Sequence, residues 1–130
     1  MTITYLDHPA DDLAHQQLLT VAHPDWSDHH KSRVLTAFAA SSFAATAWDN
    51  KTLVGTIRVF SDNVGFAMIA DLLVHPKYRR QGIGGQLLKM AQQVFATYYL
   101  YADFQDETLS NFYTTAGFSE HTVFRQIPKR

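Results

Sequence analysis

Residues 68–95 read MIADLLVHPKYRRQGIGGQLLKMAQQVF, and no other part of the chain limits the fold as tightly. A short apolar run (68–74) has β character, a basic loop with Pro76 follows, and a periodic helix begins at Gly84. Ile83, Leu87, Leu88, Ala91, Val94 and Phe95 recur at the spacing of one helical face, with Gln86, Lys89, Gln92 and Gln93 on the other. Gly82, Gly84 and Gly85 let the backbone approach a ligand closely at the point where a helix leaves its first N–H groups unpaired. The helix dipole and the charges of Arg79 and Arg80 add to the attraction for an anion, and pyrophosphate suits such a place.

Two common glycine loops do not fit. A dinucleotide fingerprint needs a third small residue where this chain has Leu87, and a P-loop needs Lys and Ser or Thr directly after its last glycine. What remains is R-x-x-G-x-G (Arg79, Gly82, Gly84) after a strand ending in L-x-V (Leu72, Val74). This resembles motif A of the GNAT-superfamily N-acetyltransferases. A second segment, Asn111-Phe112-Tyr113-Thr114-Thr115-Ala116-Gly117-Phe118, is similar to the F-Y-x-x-x-G-F stretch that closes the GNAT core.

In chain order, residues 2–6 read as a first strand. A helix follows, capped by Asp7 or a neighbour with Pro9 in its first turn, its buried side marked by Ala14, Leu18, Leu19, Val21 and Ala22 until His23-Pro24 stops it. Ser27 caps a second helix in which Val34, Leu35 and Phe38 point inward. Residues 43–49, 51–60 and 65–74 are three antiparallel strands, joined at Asp49-Asn50 and at Ser61-Asp62-Asn63. After the motif helix come a strand at 98–102, a short helix at 106–115 and a last strand around 122–127. The expected class is α/β (α+β): a mixed, mostly antiparallel twisted sheet of six to seven strands with about four helices, a GNAT-like order over nearly the whole chain. At 130 residues with 46% hydrophobic residues, it is expected to form a single domain over 1–130; the resemblance implies the small, single-domain bacterial type.

Composition excludes more than it selects. A net charge of −1 gives no reason to expect nucleic acid or an anionic membrane, and no apolar run approaches the roughly 20 residues that span a bilayer. The absence of cysteine removes a thiol nucleophile and fits a reducing, cytoplasmic setting. The seven histidines lack the paired helical spacing of a zinc site, and no H-E-x-x-H accompanies them, so no metal is expected.

The resemblance implies acetyl transfer from acetyl-coenzyme A to a primary amine of a small-molecule or peptide acceptor, by direct attack on the thioester. It implies a coenzyme site made of Leu72, Leu73 and Val74 against the pantetheine arm, Arg79, Arg80, Gln81, Gly82, Ile83, Gly84 and Gly85 around the pyrophosphate, and Asn111 and Tyr113 beside them. Leu73 and Val74 would offer unpaired backbone groups where the strand diverges from the next one. Tyr113 stands where the family places a tyrosine near the sulfur, able to protonate the departing thiolate. Seven residues before that tyrosine many relatives carry Asn; this chain has Asp106.

The family often places a Glu or His on the cleft face of the strand. Alternation from Val74 and Leu72 puts Ala70 and Met68 there and sends Asp71 to the opposite face, so no base is assigned. In the family the start of the second helix borders the cleft, so the resemblance makes Asp28, His29 and His30 candidates for the acceptor side, with a solvated surface as the favoured alternative; Trp26 and Trp48 are candidates to line an apolar acceptor pocket, with core packing as the commoner role of a tryptophan. A coenzyme-binding module of the same fold without turnover is the alternative, and a homodimer is compatible with either.

Overall fold

A computed structural model describes residues 2–104 and 106–129. Strand β1 (Ile3–Leu6) precedes α1 (Asp12–Ala22), which starts later than expected because Asp11, not Asp7, caps it. The Asp11 carboxylate accepts the Ala14 N–H at 2.9 Å, the geometry an N-cap requires, and this leaves Pro9 outside the first turn. Leu18, Leu19 and His15 form the buried side, whereas Val21 is 47% exposed. Ser27 caps α2 (Asp28–Ala39) as expected, accepting the His30 N–H at 3.1 Å; Phe38 is buried, Val34 and Leu35 half-buried.

Strands β2 (Phe43–Asp49), β3 (Thr52–Ser61) and β4 (Phe66–Val74) follow as antiparallel neighbours. Asn50 and Asn63 take positive φ in the two turns, a conformation their short polar side chains tolerate. At the second turn the Asp62 carboxylate accepts the N–H groups of Val64, Gly65 and Phe66. Helix α3 (Ile83–Val94) then crosses the sheet to β5 (Tyr99–Ala102), which pairs parallel to β4. A 3₁₀ turn, Glu107–Leu109, leads into α4 (Ser110–Thr115).

The sheet therefore runs β1-β2-β3-β4-β5, with five strands among the described residues in place of the six to seven expected. The strand expected around 122–127 does not form. Its template is short, since β5 offers four residues; His121 already stands beside Tyr101, with ring centroids 5.5 Å apart, so a chain running back along β5 would soon outrun it. Phe124 is consequently fully exposed.

Helix α3 covers one face of the sheet. Ile83, Leu87, Leu88 and Ala91 pack on Ala45, Ala47, Ile57, Val59 and Ile69, and each large apolar side chain so buried contributes about 1.5–3 kcal/mol. Gly55 of β3 lies directly beneath this helix: a Cβ there would stand 3.0 Å from both Ile83 Cγ2 and Leu87 Cδ1. Helices α1 and α2 cover the other face, where Phe38 meets His15 edge-on with centroids 4.3 Å apart and lies under the Arg58 guanidinium.

Candidate active site

The site is built where β4 loses its neighbour. Strand β5 pairs only with Phe66 to Ile69, so Ala70 to Val74 face no fifth strand. The His75 N–H donates to the Val54 carbonyl on the β3 side, and by alternation Leu72 and Val74, rather than Leu73, turn their N–H and C=O groups to the open edge. One of these acceptors is engaged already, because Arg79 Nε donates to the Val74 carbonyl at 3.3 Å.

A bulge in β4 overturns the alternation expected from the sequence. Arg58 pairs with Asp71 but Val59 pairs with Ile69, which makes Ala70 the extra residue. Gly55, Ile57 and Val59 alternate on the α3 face of β3, so their partners Val74, Leu72 and Ile69 share that face, and Met68 joins Asp71 on the other. The missing signal was the bulge itself, for which the sequence carries no glycine or other mark. Asp71 does lie opposite Leu72, as alternation required, and there it accepts a hydrogen bond from Arg58 Nε.

The loop after β4 is held at both ends. His75 Nδ1 accepts the Lys77 N–H, and the Tyr78 hydroxyl donates to the Asp49 carboxylate at 2.7 Å, a bond that pushes the phenol above its ordinary pKa. Burial, then Lys77 and Arg79, push the pKa of the His75 imidazole down. Arg80 takes φ 64° and Gly82 φ 81°, so two left-handed residues turn the chain into α3. Whereas Asp11 and Ser27 cap α1 and α2, no side chain caps α3, and the N–H groups of its first turn stay open.

These parts enclose a cavity of about 1010 Å³. Leu72, Leu73 and Val74 wall one side; Arg79, Arg80, Gly82, Ile83, Gly84 and Gly85 form the middle; Asn111 and Tyr113 close the far end. Of the residues singled out from the sequence for a coenzyme, only Gln81 does not line it. Sequence reasoning missed Tyr78, Leu88, Thr108, Leu109 and Phe112, which border the same space. Phe112 was visible in the F-Y pair, and Thr108 follows from Asp106: that carboxylate accepts from the Thr108 N–H and hydroxyl at 3.0 and 2.7 Å, and these bonds lower its pKa.

Tyr113 is 4% exposed, stacked on Phe104 with centroids 4.9 Å apart and flanked by Phe112 and Phe118. Burial alone pushes its phenol up to about 12. The acceptor-side candidates are not assembled here. Asp28, His29 and His30 are exposed at the start of α2 and line no part of this cavity. Trp26 lies flat on His23 at 3.8 Å and meets His30 edge-on, and Trp48 donates to the Thr46 hydroxyl at 2.9 Å; both rings are engaged in packing. Among the described residues no group of three or more His, Asp or Glu is placed to hold a metal ion, and no helix is long and apolar enough to cross a membrane.

A family model for the acetyltransferase (GNAT) family matches residues 12–118. The chain belongs to the GNAT acetyltransferase family. Among solved structures, this GNAT chain is similar to a GNAT-family acetyltransferase of Streptococcus pneumoniae TIGR4 (26% identity, 99% of this chain and 100% of that one, TM-score 0.83). It is also similar to a probable acetyltransferase of methicillin-resistant Staphylococcus aureus (17% identity, 98% and 100% covered, TM-score 0.81). AAC(6′)-Iy, solved in complex with the bisubstrate analogue CoA-S-monomethyl-acetylneamine, shares the GNAT fold (15% identity, 100% and 99% covered, TM-score 0.71). No curated protein sequence matches the GNAT chain.

Proposed function

We propose that the chain, acting as one domain in the cytoplasm, is an N-acetyltransferase that moves an acetyl group from acetyl-coenzyme A to a primary amine. The observation that carries this reading is the single cavity running from the open edge of β4, past the uncapped start of α3, to Tyr113. Its features fit the coenzyme: two arginines and free N–H groups for the pyrophosphate, and apolar Leu72 to Val74 for the pantetheine arm. The bound thioester supplies an activated acetyl carbonyl and a thiolate leaving group.

Each residue then has a task. Arg79 and Arg80, with the α3 amides, hold the phosphates and fix the register of the arm. Leu72, with its N–H and C=O, and Val74, with its N–H, pair with the pantetheine amides as an added strand would. Tyr113 donates a hydrogen bond to the sulfur as negative charge develops there. Complete transfer of its proton is uphill, since the phenol sits at about 12 and an ordinary thiol near 8.5, roughly a thousandfold in the wrong direction. Tyr113 therefore acts by stabilising the thiolate in a dry pocket.

The test is thiol release from acetyl-coenzyme A with a panel of primary amines, beside calorimetric binding of the coenzyme. Amine-dependent release above hydrolysis supports the transferase. Tight coenzyme binding without such release would favour a non-catalytic acyl-coenzyme A module of the same fold.

A further inference from the structure

Asp49 ends β2 and does not line the cavity, yet its side chain reaches the loop that carries Arg79 and Arg80. Its carboxylate accepts the Tyr78 hydroxyl at 2.7 Å, from a residue 29 positions away in sequence. The two partners differ in what holds them. Asp49 is paired on both sides within the sheet, with Ile3 of β1 and Thr52 of β3, so its backbone is fixed. Tyr78 ends the 3₁₀ turn Pro76–Tyr78, and its ring stands edge-on to His75 with centroids 5.1 Å apart.

Beyond Tyr78 the chain has little of its own to hold it. Among the described residues no turn or loop backbone hydrogen bond involves Arg79, Arg80 or Gln81. Arg80 takes φ 64°, a left-handed conformation that a side chain disfavours and that the surrounding structure must impose. Arg79 Nε reaches the Val74 carbonyl at a long 3.3 Å, so the shorter bond from Tyr78 is the firmer side-chain tie between this loop and the sheet. It also leaves the arginines their charge. Asp49 is in no ion pair among the described residues; its carboxylate takes a neutral phenol, and Arg79 and Arg80 stay available to an anion.

We propose that Asp49 and Tyr78 are positioning residues for the coenzyme, whose mutual hydrogen bond holds the loop in the conformation that presents Arg79 and Arg80 to the pyrophosphate. The inference rests on the coenzyme reading above. Without the bond, binding has to order the loop itself, and fixing the backbone of one residue corresponds to about 5- to 30-fold in affinity. Electrostatics alone makes the opposite prediction for Asp49, because removing a negative charge beside two arginines strengthens anion binding. The sign of the effect therefore separates positioning from charge.

The experiment is calorimetric binding of acetyl-coenzyme A, and of inorganic pyrophosphate as a probe of the loop alone, to the parent, Tyr78→Phe, Asp49→Ala and the double variant, with thermal unfolding to report folding. Phe keeps the ring against His75, and Asp49→Ala keeps the strand pairing, which is made by backbone. The expected result is a loss of about 5- to 30-fold in each single variant and the same loss, not its product, in the double one, as for two ends of one bond. With an amine that supports turnover, Asp49→Ala should raise the KM for acetyl-coenzyme A by that factor and leave kcat within about twofold, a split that general loosening of the fold would not give. Affinity unchanged in Tyr78→Phe, unchanged or tighter in Asp49→Ala, or lost multiplicatively in the double variant overturns the assignment and leaves the coenzyme reading standing; so does a kcat that falls with the affinity. Should one single variant fail to fold, the other decides by its own loss. A parent that binds pyrophosphate but no acetyl-coenzyme A overturns the coenzyme reading, and the Asp49 and Tyr78 pair is then judged on pyrophosphate by the same criteria. A parent that binds neither rejects both.

Discussion

Replacing Tyr113 by Phe removes one hydroxyl and leaves the ring against Phe104, Phe112 and Phe118. Among the described residues no hydrogen bond is made by that hydroxyl, so the substitution should be nearly neutral for stability. A donor to a charged acceptor is worth about 1.5–3 kcal/mol, so kcat should fall by roughly 10- to 150-fold, with coenzyme affinity nearly unchanged. Tyr113→Ala, by contrast, leaves a cavity and should cost about 3–5 kcal/mol, on the order of 10–20 °C in Tm for a chain of this size. The pKa supplies a third readout. With a folded value of about 12 against an ordinary 10, the folded chain holds a proton that the unfolded chain has lost, so the stability this group contributes is complete below pH 10 and disappears as pH rises towards 12. That slope should be absent in Tyr113→Phe. The assays are steady-state thiol release at saturating substrates, calorimetry, and unfolding against pH; a Phe variant turning over within about twofold of the parent would refute the role assigned to the hydroxyl.

Arg79→Ala should weaken acetyl-coenzyme A binding by roughly 1.5–3 kcal/mol, read by calorimetry, and the loss should shrink in high salt as for any exposed charge pair. Gly82→Val places a β-branched residue at φ 81°, and the distorted turn should reduce coenzyme affinity more than it reduces Tm; equal affinity would disconnect the turn from the ligand. Burial first, and against it Asp71 and Asp12, leave the His15 imidazole below its ordinary pKa, so the folded state excludes a proton that the unfolded chain takes up. Stability is therefore present above about pH 6.5 and lost as pH falls through the lower folded value, and His15→Gln should flatten that acid limb in thermal unfolding.

What could be read in advance was what depends on local chemistry. The apolar stripe of α3, the Ser27 cap and the turns at Asn50 and Asn63 each follow from residue types acting on their immediate neighbours, and the same holds for the glycine loop with its two arginines. What could not be read depends on partners distant in sequence. Ala70 becomes a bulge only because β3 fixes the register on either side of it, and an alanine gives no sign of that. Residues 122–127 contain the β-formers Thr122, Val123, Phe124 and Ile127 but find an edge of four residues, so propensity without a template produced a false strand. Asp11 won over Asp7 for the same kind of reason, since the cap is decided by where the buried Leu18 and Leu19 let the helix begin.

Gly55 does not line the cavity, yet it sets how deeply α3 sits on the sheet, and α3 carries Ile83 and Gly84 at its first turn. Any side chain there would act as a wedge directly under that first turn, and the phosphate loop beside it would move with the helix. In a selection for activity this position would therefore score as if it bound the coenzyme, and only a measurement of helix displacement, such as exchange protection along α3, would reveal it as a spacer.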